Sequence, residues 1–171
     1  MDFVIYIYND YTGTHSTALA AAYHLKKLPL YHKLTKEEIL NVDYFNKLTK
    51  ADFVKILFRG VDEDGNSVYT IGRKKDKLVV QALENLSLLL QVEFNKRDKI
   101  IFSNTSPTVP LSMTMGGFFS RGLGIDFLGV PLLVLGAKQS WNDIIKVVEY
   151  TKQIGKSTDR NVVVLENTKF K

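Results

Sequence analysis

The run VIYIYNDYTGTHSTALAAAYHL, residues 4–25, constrains the fold more than any other part of the chain. Its β-branched and aromatic start breaks at a small polar stretch, which passes into an alanine-rich helical pattern. Strand, loop and helix in that order form the opening unit of an α/β protein. The loop at such a junction presents free backbone N–H groups and the positive end of a helix dipole, a combination suited to an anion such as phosphate.

The rest of the chain continues the alternation. Residues 3–8 read as the first strand and 14–28 as a helix ended by Pro29. Thr35 and Glu38 have capping-box spacing and predict a helix running to about Leu48. Residues 53–59 and 67–71 flank GVDEDGN, which predicts a hairpin with a solvated acidic turn. Residues 78–90 carry apolar side chains nearly all round, the signature of a well-buried helix. A short strand at 99–102 then enters SNTSPTVP, whose two prolines cannot continue regular structure, and SMTMGGFFSRGLG predicts a short helix or structured loop.

The longest apolar run, FLGVPLLVLGA at 127–137, is too short for a bilayer span of about 20 residues. It reads as a buried strand at 131–135. Ser140 and Asp143 then form a second cap signature, opening a helix that Gly155 would stop, and residues 161–165 read as the last strand. The expectation is one α/β domain over residues 1–171. It is a three-layer sandwich with a mainly parallel central sheet, Rossmann-like or P-loop-like, with one hairpin insertion.

Composition narrows the classes. The 171 residues include no cysteine, which excludes disulfides, thiolate metal sites and a cysteine nucleophile. The start MDFVIYIY lacks the basic region of a secretory signal, so a cytoplasmic protein without membrane attachment is expected. The net charge of +5 is spread along the chain, and its densest run, GRKKDK at 72–77, reads as a solvated turn. Without aromatics or a recognisable motif beside it, nucleic-acid binding is disfavoured.

Three loops are expected along the carboxyl edge of the sheet, at residues 9–16, 103–110 and 136–140, the second including Asn104. Laid on NDYTGTHS, the pattern G-x-x-x-x-G-K-[ST] finds only the hydroxyl of Ser16 in place. Magnesium-dependent nucleotide hydrolysis is therefore poorly supported. Gly13, Thr14, Ser16 and Thr17 could still cradle one phosphate or carboxylate, the competing reading being a helix cap. His15 lies in the first helical turn, where the dipole favours its neutral form, and Asp10 could orient its ring if the loop folds back. His24 falls on the opposite side of that helix, and His32 has no matching ligand, so no metal site is assigned. In MGGFFSRGLG, Gly116, Gly117, Gly122 and Gly124 imply close backbone contacts. Ser120 and Arg121 beside them suit an anion pocket, with a structural salt bridge as the alternative.

Taken together, GTHS after the first strand, GVDEDGNSVYTIG in the middle and GGFFSRGLG later resemble an uncharacterised family of small proteins from spore-forming Firmicutes, known as a domain of unknown function. The resemblance covers residues 3–148 and rests on His15, Ser16, Gly116, Gly117, Ser120 and Arg121. Thr12 and Thr17 depart from the family's first-loop pattern. The resemblance implies no reaction or cofactor.

Three functions follow as expectations. The leading one is binding of a phosphorylated or otherwise anionic small molecule, nucleotides included, at the strand-end edge, with Arg121 closing on it. The second is a hydrolase or group-transfer enzyme with His15 as base or nucleophile and Asp10 as its orienter. The third is a protein-interaction module with an exposed apolar patch near Phe118 and Phe119, able to form a homo-oligomer.

Overall fold

The computed structural model describes residues 3–76, 78–95 and 98–170. Five strands form one sheet in the order β2-β3-β1-β4-β5, namely β1 (Val4–Asp10), β2 (Leu57–Val61), β3 (Ser67–Gly72), β4 (Lys99–Asn104) and β5 (Val162–Leu165). Strand β1 pairs in parallel with both β3 and β4, β5 pairs in parallel with β4, and only β2 runs antiparallel, against β3. The chain is thus α/β with a mostly parallel sheet, and the expected hairpin is the one antiparallel pairing among the described residues.

Side chains alternate across β1. Tyr6 and Tyr8 face α1 (Ser16–His24) and α5 (Asp126–Ser157), whereas Ile5 and Ile7 face α3 (Leu78–Glu93). Helix α1 is buried at every position, and the alanines at 18, 20, 21 and 22 are what let its backbone lie close to its neighbours. Helix α2 (Lys36–Asn41) begins with the expected capping box, in which Thr35 accepts from Glu38 N and Glu38 accepts from Thr35 N. It ends well before Leu48. Tyr44 and Asn46 adopt left-handed backbone angles there, and the Thr14 hydroxyl bonds the carbonyl of Tyr44 and the N–H groups of Lys47 and Leu48.

Two expectations are corrected. Residues 131–135 are not a strand but lie inside α5, a single helix of 32 residues. Buried Gly129, Leu133, Val134, Gly136, Ala137, Ser140 and Ile144 follow helical spacing, and Pro131 costs the helix the backbone bond its missing N–H would make. A short apolar run looks alike in a strand and in a buried helix, and α4 (Leu111–Gly117) packed against it decided the matter. The expected loop at 136–140 consequently does not exist, Ser140 is no cap but donates back to Gly136 O, and α5 runs past Gly155.

The second correction concerns α3. Val80 and Gln91 are its buried residues, so the helix is not enclosed. Val79, Val80 and Leu83 pack on Ile7, Ile71, Phe102 and Val162, while most of its other apolar side chains face outward.

Candidate functional site

The first loop leaves β1 at Asp10 and crosses the end of β3. Gly13 takes φ +75° and meets Gly72 so closely that a Cβ on Gly13 would stand 2.7 Å from Gly72 N, which explains a glycine at both places. Asp10 is buried. Its carboxylate accepts from Gly13 N at 2.5 Å, Ser16 Oγ at 2.7 Å and Thr17 N at 3.4 Å. The chain's own carboxylate therefore engages the donors that the sequence assigns to a ligand anion. Ser16 also meets Thr105 Oγ1 at 2.8 Å, tying the first loop to the one after β4.

Arg59 braces this loop from outside. Its Nη2 donates to Gly13 O at 3.3 Å, its Nε to Thr70 Oγ1 at 2.7 Å and its Nη1 to Asp43 O at 3.3 Å, and its guanidinium stacks 4.2 Å from the Tyr44 ring centre. Burial lowers its pKa to about 10. Beyond Arg59 a cleft of about 440 Å³ opens between α1 and α2, floored by Ala18 and Ala22 and bridged by the Lys27–Asp43 ion pair.

His15 is buried with both ring nitrogens engaged. Nδ1 lies 3.3 Å from Thr12 Oγ1 and Nε2 lies 3.3 Å from Asn46 Oδ1. Asn46 Nδ2 donates to Ser120 Oγ at 2.8 Å, Ser120 donates to Asp126, and Arg121 Nη2 stands 3.8 Å from the same Asp126 oxygen. That order fits a neutral imidazole donating from Nε2 and accepting at Nδ1. Burial is the main reason that the His15 pKa is lowered; Asp10 and Asn46 oppose it and Arg121 adds to it. Asp10 thus acts on His15 through its charge, while the hydrogen bonds that orient the ring come from Thr12 and Asn46.

The glycine pair divides its work. A Cβ on Gly117 would stand 3.0 Å from His15 Cε1, and one on Gly116 would stand 2.6 Å from Leu133 N. Gly129 and Gly136 are as tightly placed against Ser120 and Met113, so small residues let α4 and the π-helical turn Phe118–Gly122 lie directly on α5. Turns of this kind recur at functional sites. The structure therefore brings His15, Gly117, Ser120 and Arg121 together. Leu111, Met115, Phe118, Leu123 and Phe127 are exposed along the same segment.

Asn104 stands apart from them. It is in register with Asn9, and both point to the α3 side of the sheet. Its Oδ1 accepts from Ser106 N at 2.9 Å and its Nδ2 donates to the exposed Glu166 at 2.9 Å. Beside this pair lies Arg73, the first residue after β3. Its N donates to Asp10 O at 2.9 Å and its Nε donates to Asn9 Oδ1 at 2.9 Å. It is 9% exposed, and among the described residues its terminal nitrogens hold no hydrogen bond and no acid lies within ion-pairing range. Lys74 and Lys75 follow it, exposed, and Asp76 caps α3 by accepting from Leu78 N at 2.8 Å. The solvated-turn reading of GRKKDK thus holds for the exposed Lys74, Lys75 and Asp76 and fails for Arg73; Lys77 lies outside the described residues.

Away from the rim, His24 is enclosed between Tyr8 Oη, 2.8 Å from its Nδ1, and Asp62 Oδ2, 3.1 Å from its Nε2. Burial lowers its pKa to about 4. Asp62 also accepts from the backbone of Asp64 and Asn66, so the acidic turn is built around a buried carboxylate rather than wholly solvated. Glu63 and Asp64 of the same turn pair with Lys26, Lys152 and Lys156. His32 is exposed near Glu38.

Sequence reasoning passed over Asn46, Asp126, Arg59 and Arg73. Asn46 and Arg59 carry no local signal, because their partners are distant in sequence, whereas Asp126 meets Ser120 and Arg121 only six and five residues away. Arg73 had a local signal, since it opens the loop from a parallel strand to a helix.

A family model described as "Protein of unknown function (DUF3189)" matches residues 5–153. No curated protein and no solved structure matches the chain. Among the described residues no helix is long and apolar enough to cross a membrane.

Proposed function

We propose, for a chain that belongs to the family described as "Protein of unknown function (DUF3189)", that it binds a small phosphorylated or carboxylic molecule at the carboxyl ends of its parallel strands, on the side facing α3. One observation carries this reading. Arg73 is a nearly buried cation whose terminal donors and charge have no partner among the described residues. A guanidinium held at Nε is built to grip two oxygens of a phosphate or carboxylate with its terminal nitrogens. Arg59, with all its donor groups in use, shows how the same side chain looks when the protein itself satisfies it.

The surroundings agree with the reading. Asn9 Oδ1 fixes the guanidinium in place, Asn104 stands next in register, and exposed Lys74 and Lys75 add positive charge. Ligands of α/β sheets collect at this end of the strands. A cytoplasmic setting, where phosphorylated metabolites abound, completes the proposal. Hydrolysis or group transfer by His15 draws no comparable support, because the ring is buried and both its nitrogens are engaged.

The test is thermal shift and calorimetry with inorganic phosphate, pyrophosphate, nucleotides and small carboxylates, against chloride at equal ionic strength. A true ligand at a hundred times its Kd stabilises by about 2.7 kcal/mol. Arg73→Gln should weaken binding at least tenfold, and Arg121→Gln should leave it unchanged. Equal binding by Arg73→Gln, or no stabilisation by any anion, overturns the proposal.

A further inference from the structure

We infer that the anion seated on Arg73 is one end of a longer ligand whose other end donates hydrogen bonds to Glu166, the chemistry of a phosphate carried on a sugar or another polyol. This second pole rests on the anion reading of Arg73 and deepens it. Four side chains from four neighbouring strands form a row along the carboxyl rim, in the order Arg73 after β3, Asn9 on β1, Asn104 on β4 and Glu166 after β5. Asn9 is in register with Asn104, and Ser103 is in register with Leu165, so Asn104 and Glu166 are the next pair. All four continue the alternate positions that include Ile7, Ile71, Phe102 and Val164, and so lie on the α3 side of the sheet.

The row is polarised from end to end. Asn9 Oδ1 accepts from Arg73 Nε at 2.9 Å, which makes the other atom of that amide a donor. Asn9 is 1% exposed, and among the described residues its Nδ2 holds no hydrogen bond. With the terminal nitrogens of Arg73, one end of the row therefore offers donors alone. At the other end Asn104 Oδ1 accepts from Ser106 N at 2.9 Å and Asn104 Nδ2 donates to Glu166 Oε2 at 2.9 Å. Glu166 is exposed, its second oxygen accepts no hydrogen bond, and no cation lies within ion-pairing range, all among the described residues. Its backbone is held in place. The buried Asn167, with φ 55°, donates from Nδ2 to Ser103 Oγ at 2.9 Å and to Asn104 O at 3.0 Å, which pins the residue after Glu166 to the end of β4.

Length excludes the smallest ligands. The Arg73–Asn9 bond, one strand spacing of about 4.8 Å and the Asn104–Glu166 bond separate the two charges, on the order of 10 Å in all. With a hydrogen bond of about 2.9 Å at each pole, the ligand's own groups must stand about 5 Å apart. Inorganic phosphate and α-amino acids are too short, and a polyol phosphate is long enough. Charge then decides between a hydroxyl and an amine at the far end. Exposed Lys74 and Lys75 follow Arg73, and Asp76 is occupied at the start of α3, so positive charge outweighs Glu166 at this rim. Such a field favours a ligand of net negative charge over a zwitterion, which leaves neutral hydroxyls for Glu166. Among the described residues no group of His, Asp and Glu is placed to hold a metal there instead.

Calorimetry with ribose phosphate, ethanolamine phosphate and inorganic phosphate at constant ionic strength tests this. Ribose phosphate should bind at least about tenfold more tightly than inorganic phosphate, the factor that one hydrogen bond to a charged group supplies. Glu166→Ala should erase that preference, while inorganic phosphate binds no less tightly than before. Arg73→Gln should weaken both. Glu149→Ala, which removes the same charge from an exposed position of α5 on the other side of the sheet, should change neither. Glu166 is exposed, so circular dichroism and melting temperature should not move in Glu166→Ala and a lost contact is told from lost folding. Equal binding of ribose phosphate and inorganic phosphate, both dependent on Arg73, overturns the second pole and leaves the anion site standing. A preference for ribose phosphate that survives Glu166→Ala, or tighter binding of ethanolamine phosphate than of ribose phosphate, overturns it as well. Binding of none of the three overturns both readings.

Discussion

The two sides of the sheet's carboxyl rim differ in how far the chain answers its charged and titratable groups. Toward α1 and α5, Asp10 engages the loop donors, Thr14 caps a distant segment, and His15 is bonded at both nitrogens. Toward α3, Arg73 keeps its terminal donors and its charge unanswered among the described residues. The helices repeat the contrast. Helix α1 is buried at every position, whereas α3 turns a leucine stripe outward. A polar loop at a helix start is therefore no measure of ligand binding until the protein's own acids near it have been counted. The charge that remains unpaired after that count points to the partner.

The comparison breaks most severely if Asp10 is removed. Asp10→Ala leaves Gly13 N, Ser16 Oγ and Thr17 N without their acceptor and should cost about 4 kcal/mol in urea unfolding, at about 1–3 kcal/mol per buried unsatisfied group. Added phosphate should recover part of that loss in the variant by filling the vacated position, while binding through Arg73 persists. An unchanged stability would show that the loop does not depend on its own carboxylate.

Acid tests the closed side more gently. His24 has a folded pKa of about 4 against 6.5 for the free side chain, so as pH falls the unfolded chain takes up the proton first. Its contribution is complete above pH 6.5 and is lost progressively toward pH 4, about 3 kcal/mol in all. The lowered pKa of His15 acts in the same direction. Denaturation midpoints measured across that range should show the slope, and His24→Gln should flatten most of it.

The smallest effect sharpens the contrast. Ser120→Ala removes the link between Asn46 and Asp126 and should cost about 1 kcal/mol. Anion affinity at Arg73 should not move, because the two networks lie on opposite sides of the sheet. A parallel loss of affinity would join them into one site.

Local chemistry was legible wherever a residue and its partner lie close in sequence. The Thr35–Glu38 box, the hairpin and the strand–loop–helix opening all depend on such neighbours. The strand expected at 131–135 failed for the opposite reason. Leucine and valine in PLLVL suit either element, and the glycine seam against α4 that decides for helix is contributed by residues 113–120. Burial of α3 was misread in the same way, since an apolar surface all round does not say whether the chain itself covers it.

The sequence by itself determined the α/β alternation and the parallel strand that carries the first loop. Those features rest on periodicity, capping and glycine placement, which are local. Only the tertiary structure decided that Asp10 would engage that loop, that Asn46 would bridge His15 to Ser120, and that Arg73 would be left without an acid among the described residues. Pairing of buried charge depends on what the folded chain brings within a few ångströms, and no spacing along the chain encodes that distance.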